Sequence, residues 1–216
     1  DKMNAGILTG KNIVLGVSGG IAAYKSCTLV REFVKRGANV DVVMTANATQ
    51  FVTPLTMETL SNNPVSVDMF ATHDRRDVEH VSLAKKADLF VVAPATANVV
   101  GKYANGIADD MLTTTLMATT APVVICPAMN VNMYNNAAYR ANVATLKKRG
   151  VYFVDAESGF LACGDVGQGR AERDCRVLRT DTWSKQATCR KTRACDLRCH
   201  LRKVGRCAYD YQFQQR

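Results

Sequence analysis

The stretch KNIVLGVSGG (residues 11–20) is a short apolar run that ends in a serine and two glycines. The residues after it, 21–37, place apolar side chains at helical spacing. Small residues between an apolar run and a helical pattern indicate a tight turn. We therefore predict a strand, a tight turn and a helix over residues 11–37.

The same alternation continues along the chain. Further strands are predicted at 38–45, 65–69, 88–93, 122–126 and 151–155, and further helices at 49–61, 81–86, 97–103, 109–119 and 137–149. Strands that alternate with helices favour a parallel sheet covered on both faces. The predicted fold class is α/β, a doubly wound parallel sheet in a flavodoxin-like or Rossmann-like three-layer sandwich, with no second folded domain.

Composition indicates a globular chain. Of the 216 residues, 47% are hydrophobic, and no apolar run approaches the roughly 18 residues that a membrane-spanning helix needs. Residues 1–10 lack the basic region and apolar core of a secretion signal. We expect a cytoplasmic protein that does not enter a membrane.

The net charge of +9 is concentrated at one end of the chain. Residues 1–170 hold 16 Lys/Arg and 14 Asp/Glu, whereas residues 171–216 hold 12 and 5. Five of the eight cysteines also lie after residue 170. Cys195, Cys199 and His200 would suit a zinc or disulfide module, but this tail has little apolar periodicity and no paired C-x2-C motifs. We predict no metal site, and we do not expect nucleic acid as a partner.

Two strand ends carry groups suited to a phosphate. Ser18 and its glycines precede the first helix, and the phrase PATAN (94–98) precedes another. Helix N-termini attract phosphate, although glycines there can simply form a turn and Thr96 or Asn98 can simply cap a helix. The second strand ends at Thr45, with no acidic residue to hold a ribose, so a mononucleotide such as FMN is favoured over a dinucleotide.

Three further segments carry reactive or polar side chains. His80 stands in VEHVSL (78–83), just before a predicted helix, and Asn130 in PAMNVNMY (127–134), directly after a strand. Cys163 stands in the glycine-rich stretch GFLACGDVGQGR (159–170), whereas Cys126 lies inside an apolar strand and is expected to be structural. A histidine titrates near neutral pH, which suits proton transfer, although a lone histidine is more often a surface residue.

Together these segments resemble one family, the flavin-containing cysteine decarboxylases, and within it the phosphopantothenoylcysteine decarboxylases of coenzyme A synthesis. The resemblance runs from Lys11 to Arg170. It implies that residues 1–170 form an FMN-binding domain that converts 4'-phosphopantothenoylcysteine to 4'-phosphopantetheine. It also implies a homo-oligomer, a trimer or a multiple of trimers, with FMN at subunit contacts.

The resemblance also assigns site residues. The catalytic residues it implies are His80 as acid/base, Asn130 as carboxylate anchor and Cys163 as proton donor to the intermediate. The FMN-binding residues it implies are Ser18, Gly19, Thr45, Thr96, Ala97, Asn98 and Met129, with Asn47 as a further candidate. The substrate-binding residues it implies are Asn130, Met133, Ala162 and Cys163.

Two departures and two alternatives accompany this resemblance. The family commonly has Trp where Tyr134 stands, and Met-Ala-Glu after the arginine where Ala171 and Glu172 follow directly. A peptidyl-cysteine decarboxylase would share His80 and the asparagine motif. A flavoprotein that regulates a phosphatase would keep the fold without turnover, although such relatives tend to carry acidic tails.

Residues 171–216 are best explained as a frameshifted reading without a fixed structure. Back-translating residues 207–215 and shifting by one nucleotide permits Val-Arg-Met-Ile-Thr-Asn-Phe-Ser-Ser, which resembles the start of the phosphopantothenate-cysteine ligase domain in bifunctional bacterial proteins. A ligase domain is therefore an expected partner. Sequencing the coding DNA tests this hypothesis, and an intact frame beyond codon 170 would contradict it.

Overall fold

The computed structural model describes residues 8–70, 78–154, 157–160 and 166–170, the last two ranges through their backbone alone. Within these ranges the strands are β1 Asn12–Val17, β2 Asn39–Met44, β3 Val65–Ser66, β4 Leu89–Ala95, β5 Val123–Pro127, β6 Tyr152–Phe153, β7 Glu157–Phe160 and β8 Val166–Arg170. The α-helices are α1 Ala23–Lys35, α2 Pro54–Ser61, α3 Glu79–Lys86, α4 Ala97–Ala104, α5 Met111–Ala118, α6 Val131–Asn135 and α7 Ala137–Lys148, with a 3₁₀ turn at Ala48–Gln50.

The first six strands form one parallel sheet in the order β3-β2-β1-β4-β5-β6. This order confirms the predicted doubly wound α/β fold, and its arrangement is the Rossmann one. The order reverses between β1 and β4, so the loops after these two strands diverge to opposite faces. Ligands of such sheets bind at the carboxyl ends of the strands beside this reversal.

Two apolar cores lie on the two faces of the sheet. One face packs side chains of α1 and α2 on β1, β2 and β4, with Leu29, Phe33 and Met57 fully or almost fully buried. The other face packs α4, α5 and α7 on the sheet, with Phe90 and Leu112 fully buried. On this second face, Leu112 of α5 can approach β1 closely because residue 16 is a glycine. A Cβ at Gly16 would lie 2.4 Å from Cδ1 of Leu112. These cores are the three-layer sandwich that the strand and helix alternation predicted.

The structure corrects several local predictions. The helix α3 begins at Glu79, so His80 lies inside this helix rather than before it. The segment after Pro127, where no helix was predicted, contains the short helix α6, and the stretch around Cys163 is flanked by the antiparallel hairpin strands β7 and β8. Both elements are shorter than the window over which apolar periodicity can be read.

Some predictions fall outside the described residues. Ala162, Cys163 and the whole of 171–216 are among them, so the frameshift hypothesis and the tail stay predictions. Among the described helices, none has both the length and the apolar character needed to cross a membrane.

Candidate functional site

Ser18 joins the turns that follow β1 and β4. Its hydroxyl donates a hydrogen bond to the carbonyl oxygen of Pro94 at 2.7 Å and accepts one from the backbone N–H of Thr96 at 2.9 Å. Its own backbone N–H also donates to Pro94, at 3.2 Å. Ser18 is 1% exposed, and both of its donors are used within the protein. This residue therefore fixes the spacing of the two turns, and its contribution to FMN binding is expected to be indirect.

The N-terminus of α4 presents backbone donors at this junction. Thr96 is the N-cap residue, yet its side chain makes no capping hydrogen bond. Within the described part of the chain, the N–H groups of Ala97, Asn98 and Val99 donate to no protein acceptor, as is usual in the first turn of a helix. The plain capping explanation for this phrase is therefore not what the structure shows. An anion could be bound by these groups together with the positive end of the helix dipole.

The turn after β1 supplies a second set of backbone donors. Gly19, Gly20 and Ile21 have N–H groups with no acceptor among the described residues, because the hydrogen bonds of α1 begin at Ala23. Position 19 requires a glycine because there is no space for a side chain. A Cβ at Gly19 would lie 2.4 Å from the Cβ of Asn47, so the turns after β1 and β2 touch.

Thr45 lies at the start of the turn that contains Asn47. Its hydroxyl oxygen accepts a hydrogen bond from the N–H of Ala48 at 3.2 Å, and its backbone N–H donates to Val17 at 3.0 Å. Met44, the last residue of β2, is fully buried. No carboxylate ends this strand, and the residues present therefore fit a mononucleotide phosphate better than a dinucleotide.

Asn130 lies at the start of α6, at the carboxyl end of β5. It is the N-cap of this helix, and its Oδ1 accepts a hydrogen bond from the backbone N–H of Asn132 at 2.8 Å. This bond fixes the rotation of the Asn130 side chain. Met129 is half-buried and Met133 is exposed on the same short segment.

His80 is carried by a helix that is fixed at both ends. At the first end, the Ser66 hydroxyl donates to the carboxylate of Glu79, the residue before His80. At the other end, Lys86 pairs with the largely buried Asp41 at 2.7 Å. His80 itself is half-buried, and no hydrogen bond in the described part of the chain joins it to the three strand-end turns or to the asparagine segment. The structure thus brings together the three strand-end turns, whereas His80 stands on a separate element.

The hairpin is close to the asparagine segment, because β8 packs against α6. Residues 161–165 lie between β7 and β8, and the predicted roles of Ala162 and Cys163 lie outside the described residues. Sequence reasoning missed the Pro94 carbonyl as the shared acceptor of this site. The sequence signal for this acceptor was the proline in PATAN, which stands at the end of a strand.

Comparison with known proteins identifies the family. A model of the family described as Flavoprotein matches residues 3–180. The chain belongs to this Flavoprotein family. The match begins before Lys11 and ends ten residues beyond Arg170, so the family resemblance extends past the limits that the motifs gave.

Individual relatives are more specific than the family model. The chain is 51% identical over 173 residues to the coenzyme A biosynthesis bifunctional protein CoaBC of Bacillus subtilis, covering 80% of this chain and 43% of that protein. It is 47% identical over 163 residues to the protein of the same name from Escherichia coli, covering 76% and 40%. The chain thus spans less than half the length of these relatives.

Two solved structures share the fold over most of the chain. One is a cysteine-to-serine variant of a PPC decarboxylase complexed with pantothenoylaminoethenethiol, with a TM-score of 0.71, 29% identity, and 79% and 95% of the two chains covered. The other is the FMN-dependent cysteine decarboxylase SpaF, with a TM-score of 0.68, 30% identity, and coverage of 80% and 98%. The resemblance inferred from the motifs is confirmed.

Proposed function

We propose that residues 1–170 bind FMN at the junction of β1 and β4 and catalyse the decarboxylation of 4'-phosphopantothenoylcysteine to 4'-phosphopantetheine. The observation that carries the proposal is the Ser18–Pro94–Thr96 junction, which places two sets of unpaired backbone N–H groups beside the sheet reversal. Such groups suit the phosphate of a mononucleotide. The Flavoprotein family match and the FMN-dependent structural relative support this choice of cofactor.

The substrate follows from the asparagine segment and from the relatives. An amide at Asn130 can bind a carboxylate without a fixed positive charge, whereas an arginine would stabilise the carboxylate of the ground state and so oppose loss of carbon dioxide. Relatives with about half their residues identical are named for coenzyme A biosynthesis. This similarity favours phosphopantothenoylcysteine over a peptide C-terminus.

Each remaining role falls to a side chain of the protein. Loss of carbon dioxide from a cysteine carboxylate leaves a carbanion with no adjacent electron sink, and bound FMN would supply one by a two-electron oxidation of the cysteinyl CH2–SH group that is reversed after carbon dioxide has left. Asn130 holds the carboxylate until it leaves. His80 is the proposed acid/base group, and Cys163 is the thiol that can return a proton to the intermediate. Because contacts at both ends hold helix α3 in place, the location of His80 does not depend on the strand-end turns.

The proposal is tested with purified protein that has been exchanged gently into buffer. We expect a yellow protein with an FMN absorbance spectrum, and release of carbon dioxide from 4'-phosphopantothenoylcysteine. Stoichiometric FAD or NAD, or no flavin after reconstitution, would contradict the cofactor. Turnover of a peptide with a C-terminal cysteine in place of phosphopantothenoylcysteine would instead identify a peptidyl-cysteine decarboxylase, and flavin binding without turnover of either would favour the regulatory alternative.

We further propose that the protein assembles as a trimer or a multiple of trimers and works in the cytoplasm beside a phosphopantothenate-cysteine ligase domain. The bifunctional relatives support the ligase partner. Support for self-assembly comes from the starts of α1 and α2, where Ile21, Tyr24, Phe51 and Leu55 are each at least 50% exposed. Sedimentation equilibrium of the FMN-loaded protein tests the assembly, and a monomer at micromolar concentration would contradict it.

A further inference from the structure

Tyr139 is a buried aromatic residue whose hydroxyl group is unsatisfied within the described part of the chain. It lies in the first turn of α7, is 6% exposed, and its hydroxyl has no hydrogen-bond partner among the described residues. Burial raises the pKa of Tyr139, and the neighbouring Tyr134 raises it further, so the hydroxyl stays protonated at working pH. A neutral, unpaired hydroxyl costs free energy in the interior. Any favourable contribution of Tyr139 must therefore come from the contacts of its ring.

The ring contacts the segment that holds Asn130. The rings of Tyr139 and Tyr134 pack with centroids 5.6 Å apart and an interplanar angle of 41°. Tyr134 in turn donates its backbone N–H to the carbonyl oxygen of Asn130 at 2.9 Å. Tyr139 is thus connected to the proposed carboxylate anchor through one ring contact and one backbone hydrogen bond.

The short helix α6 runs directly into α7 and also packs against β8. It spans five residues, and Asn136 is both its C-cap and the N-cap of α7. Helix α7 also packs on α4, and Tyr139 shares a buried cluster with Val99 and Val100 of that helix. Tyr139 thus belongs to the same buried cluster as the helix that carries the proposed phosphate donors, and its ring contacts Tyr134 of the segment that begins at Asn130.

We propose that Tyr139 is a positioning residue for substrate binding, which sets the place of Asn130 through its packing against Tyr134. This inference rests on the proposed function for the role of Asn130. It assigns the effect to the aromatic ring and none to the hydroxyl. A ring that merely filled the core would influence stability alone.

Steady-state kinetics of variants, normalised to bound FMN, separate these possibilities. Tyr139→Phe keeps the ring and removes the unpaired hydroxyl, so we expect unchanged KM and a Tm equal to or above that of the wild type. Tyr139→Leu removes the ring pair, and we expect KM for phosphopantothenoylcysteine to rise roughly threefold to tenfold, the range that an aromatic pair is worth. The value of kcat should change less than KM.

Leu146→Ala is the matched control. Leu146 is almost fully buried on the same helix, seven residues or about 10 Å further along, and makes no ring contact with α6. It should lower Tm while leaving KM unchanged. Tyr134→Leu provides a second route should Tyr139→Leu fold poorly: its KM should rise, and adding Tyr139→Leu to it should raise KM no further, because both variants remove the same contact.

Hydrogen exchange supplies a readout without turnover. In Tyr139→Leu, amides of residues 131–135 should exchange faster, whereas those of α1, which packs on the other face of the sheet, should keep the wild-type rate. If the wild type does not act on phosphopantothenoylcysteine, the proposed function fails, and the exchange result still judges the positioning role. Unchanged KM and unchanged exchange in Tyr139→Leu, or an equal rise of KM in Leu146→Ala, would overturn the inference.

Discussion

The hydroxyl oxygen of Ser18 accepts a hydrogen bond from the backbone N–H of Thr96 at 2.9 Å, across 78 positions of sequence. The same hydroxyl donates to Pro94, and so one buried side chain couples the ends of the two strands at which the sheet order reverses. Because parallel strands end at the same edge, a small polar residue at one strand end can set the geometry of its neighbour.

Ser18→Ala should weaken FMN binding and lower stability together. The change leaves the N–H of Thr96 without its acceptor, at a cost of about 1–3 kcal/mol for an unsatisfied buried group. Ser26→Ala is a matched control, since Ser26 is also buried and its hydroxyl donates to Ala93 at 2.6 Å, one residue before Pro94. Thermal melts and FMN titrations should show both variants destabilised and only Ser18→Ala impaired in FMN affinity. Equal affinity in both would argue against a coupling role.

Gly19→Ala should reduce FMN affinity by about fivefold or more, since making room for a Cβ that meets Asn47 at 2.4 Å is expected to cost about 1 kcal/mol or more. The adjacent Gly20→Ala serves as control, because a Cβ there meets only Cγ2 of Thr96 at the ordinary contact distance of 3.6 Å. Fluorescence titration with FMN measures both. A Gly19→Ala protein that binds FMN like wild type would show that the turns after β1 and β2 do not both contact the cofactor.

His80→Asn should abolish decarboxylation while FMN stays bound, because an amide keeps size and hydrogen bonding but exchanges no proton near neutral pH. Carbon dioxide release and the flavin spectrum are the two measurements. Lys85→Asn on the same helix is a control for the substitution itself, since Lys85 is exposed. Undiminished turnover in His80→Asn would assign the acid/base role to another group.

Cys163→Ser should permit loss of carbon dioxide and then stall before product. A serine hydroxyl is a far poorer proton donor than a thiol, so an enethiol intermediate should accumulate. Mass spectrometry of quenched reactions detects it. Cys126→Ser is not an adequate control, because Cys126 is buried in β5; Cys27→Ser on α1 is preferable, and it should turn over normally. Normal release of 4'-phosphopantetheine by Cys163→Ser would refute the proposed role.

Asp110→Asn should destabilise the protein near neutral pH and much less in acid. Burial acts to raise the pKa of Asp110, but hydrogen bonds from Thr113 and Lys102 outweigh it and hold the pKa below its usual range. A carboxyl whose pKa is lowered by folding stabilises the protein above its unfolded pKa, and this stabilisation is lost as pH falls through the folded pKa. The difference in Tm between wild type and variant should therefore shrink as pH falls below about 4. A constant difference across that range would contradict the assignment.

The motifs from which the site was predicted are local in sequence. A strand followed by small residues or by a proline and a cap residue can be read from KNIVLGVSGG, PATAN and PAMNVNMY alone. The same reading failed where elements are short. It did not find the five-residue α6 or the β7–β8 hairpin, and it began α3 at residue 81 rather than at Glu79, because helical periodicity gives no signal over so few residues.

By itself, the sequence determined the alternation of strands and helices, the absence of an acidic residue after β2, and the family resemblance, since each depends on residue types at fixed short spacings. Only the tertiary structure decided that Ser18 is bonded to Pro94 and Thr96 and so is not itself a free donor, that Gly19 touches Asn47, and that Tyr139 packs on Tyr134. The physical reason is the order of the strands. Which strand ends become neighbours is set by sheet pairing between distant segments, and hydrogen bonds across such neighbours leave no trace in local spacing.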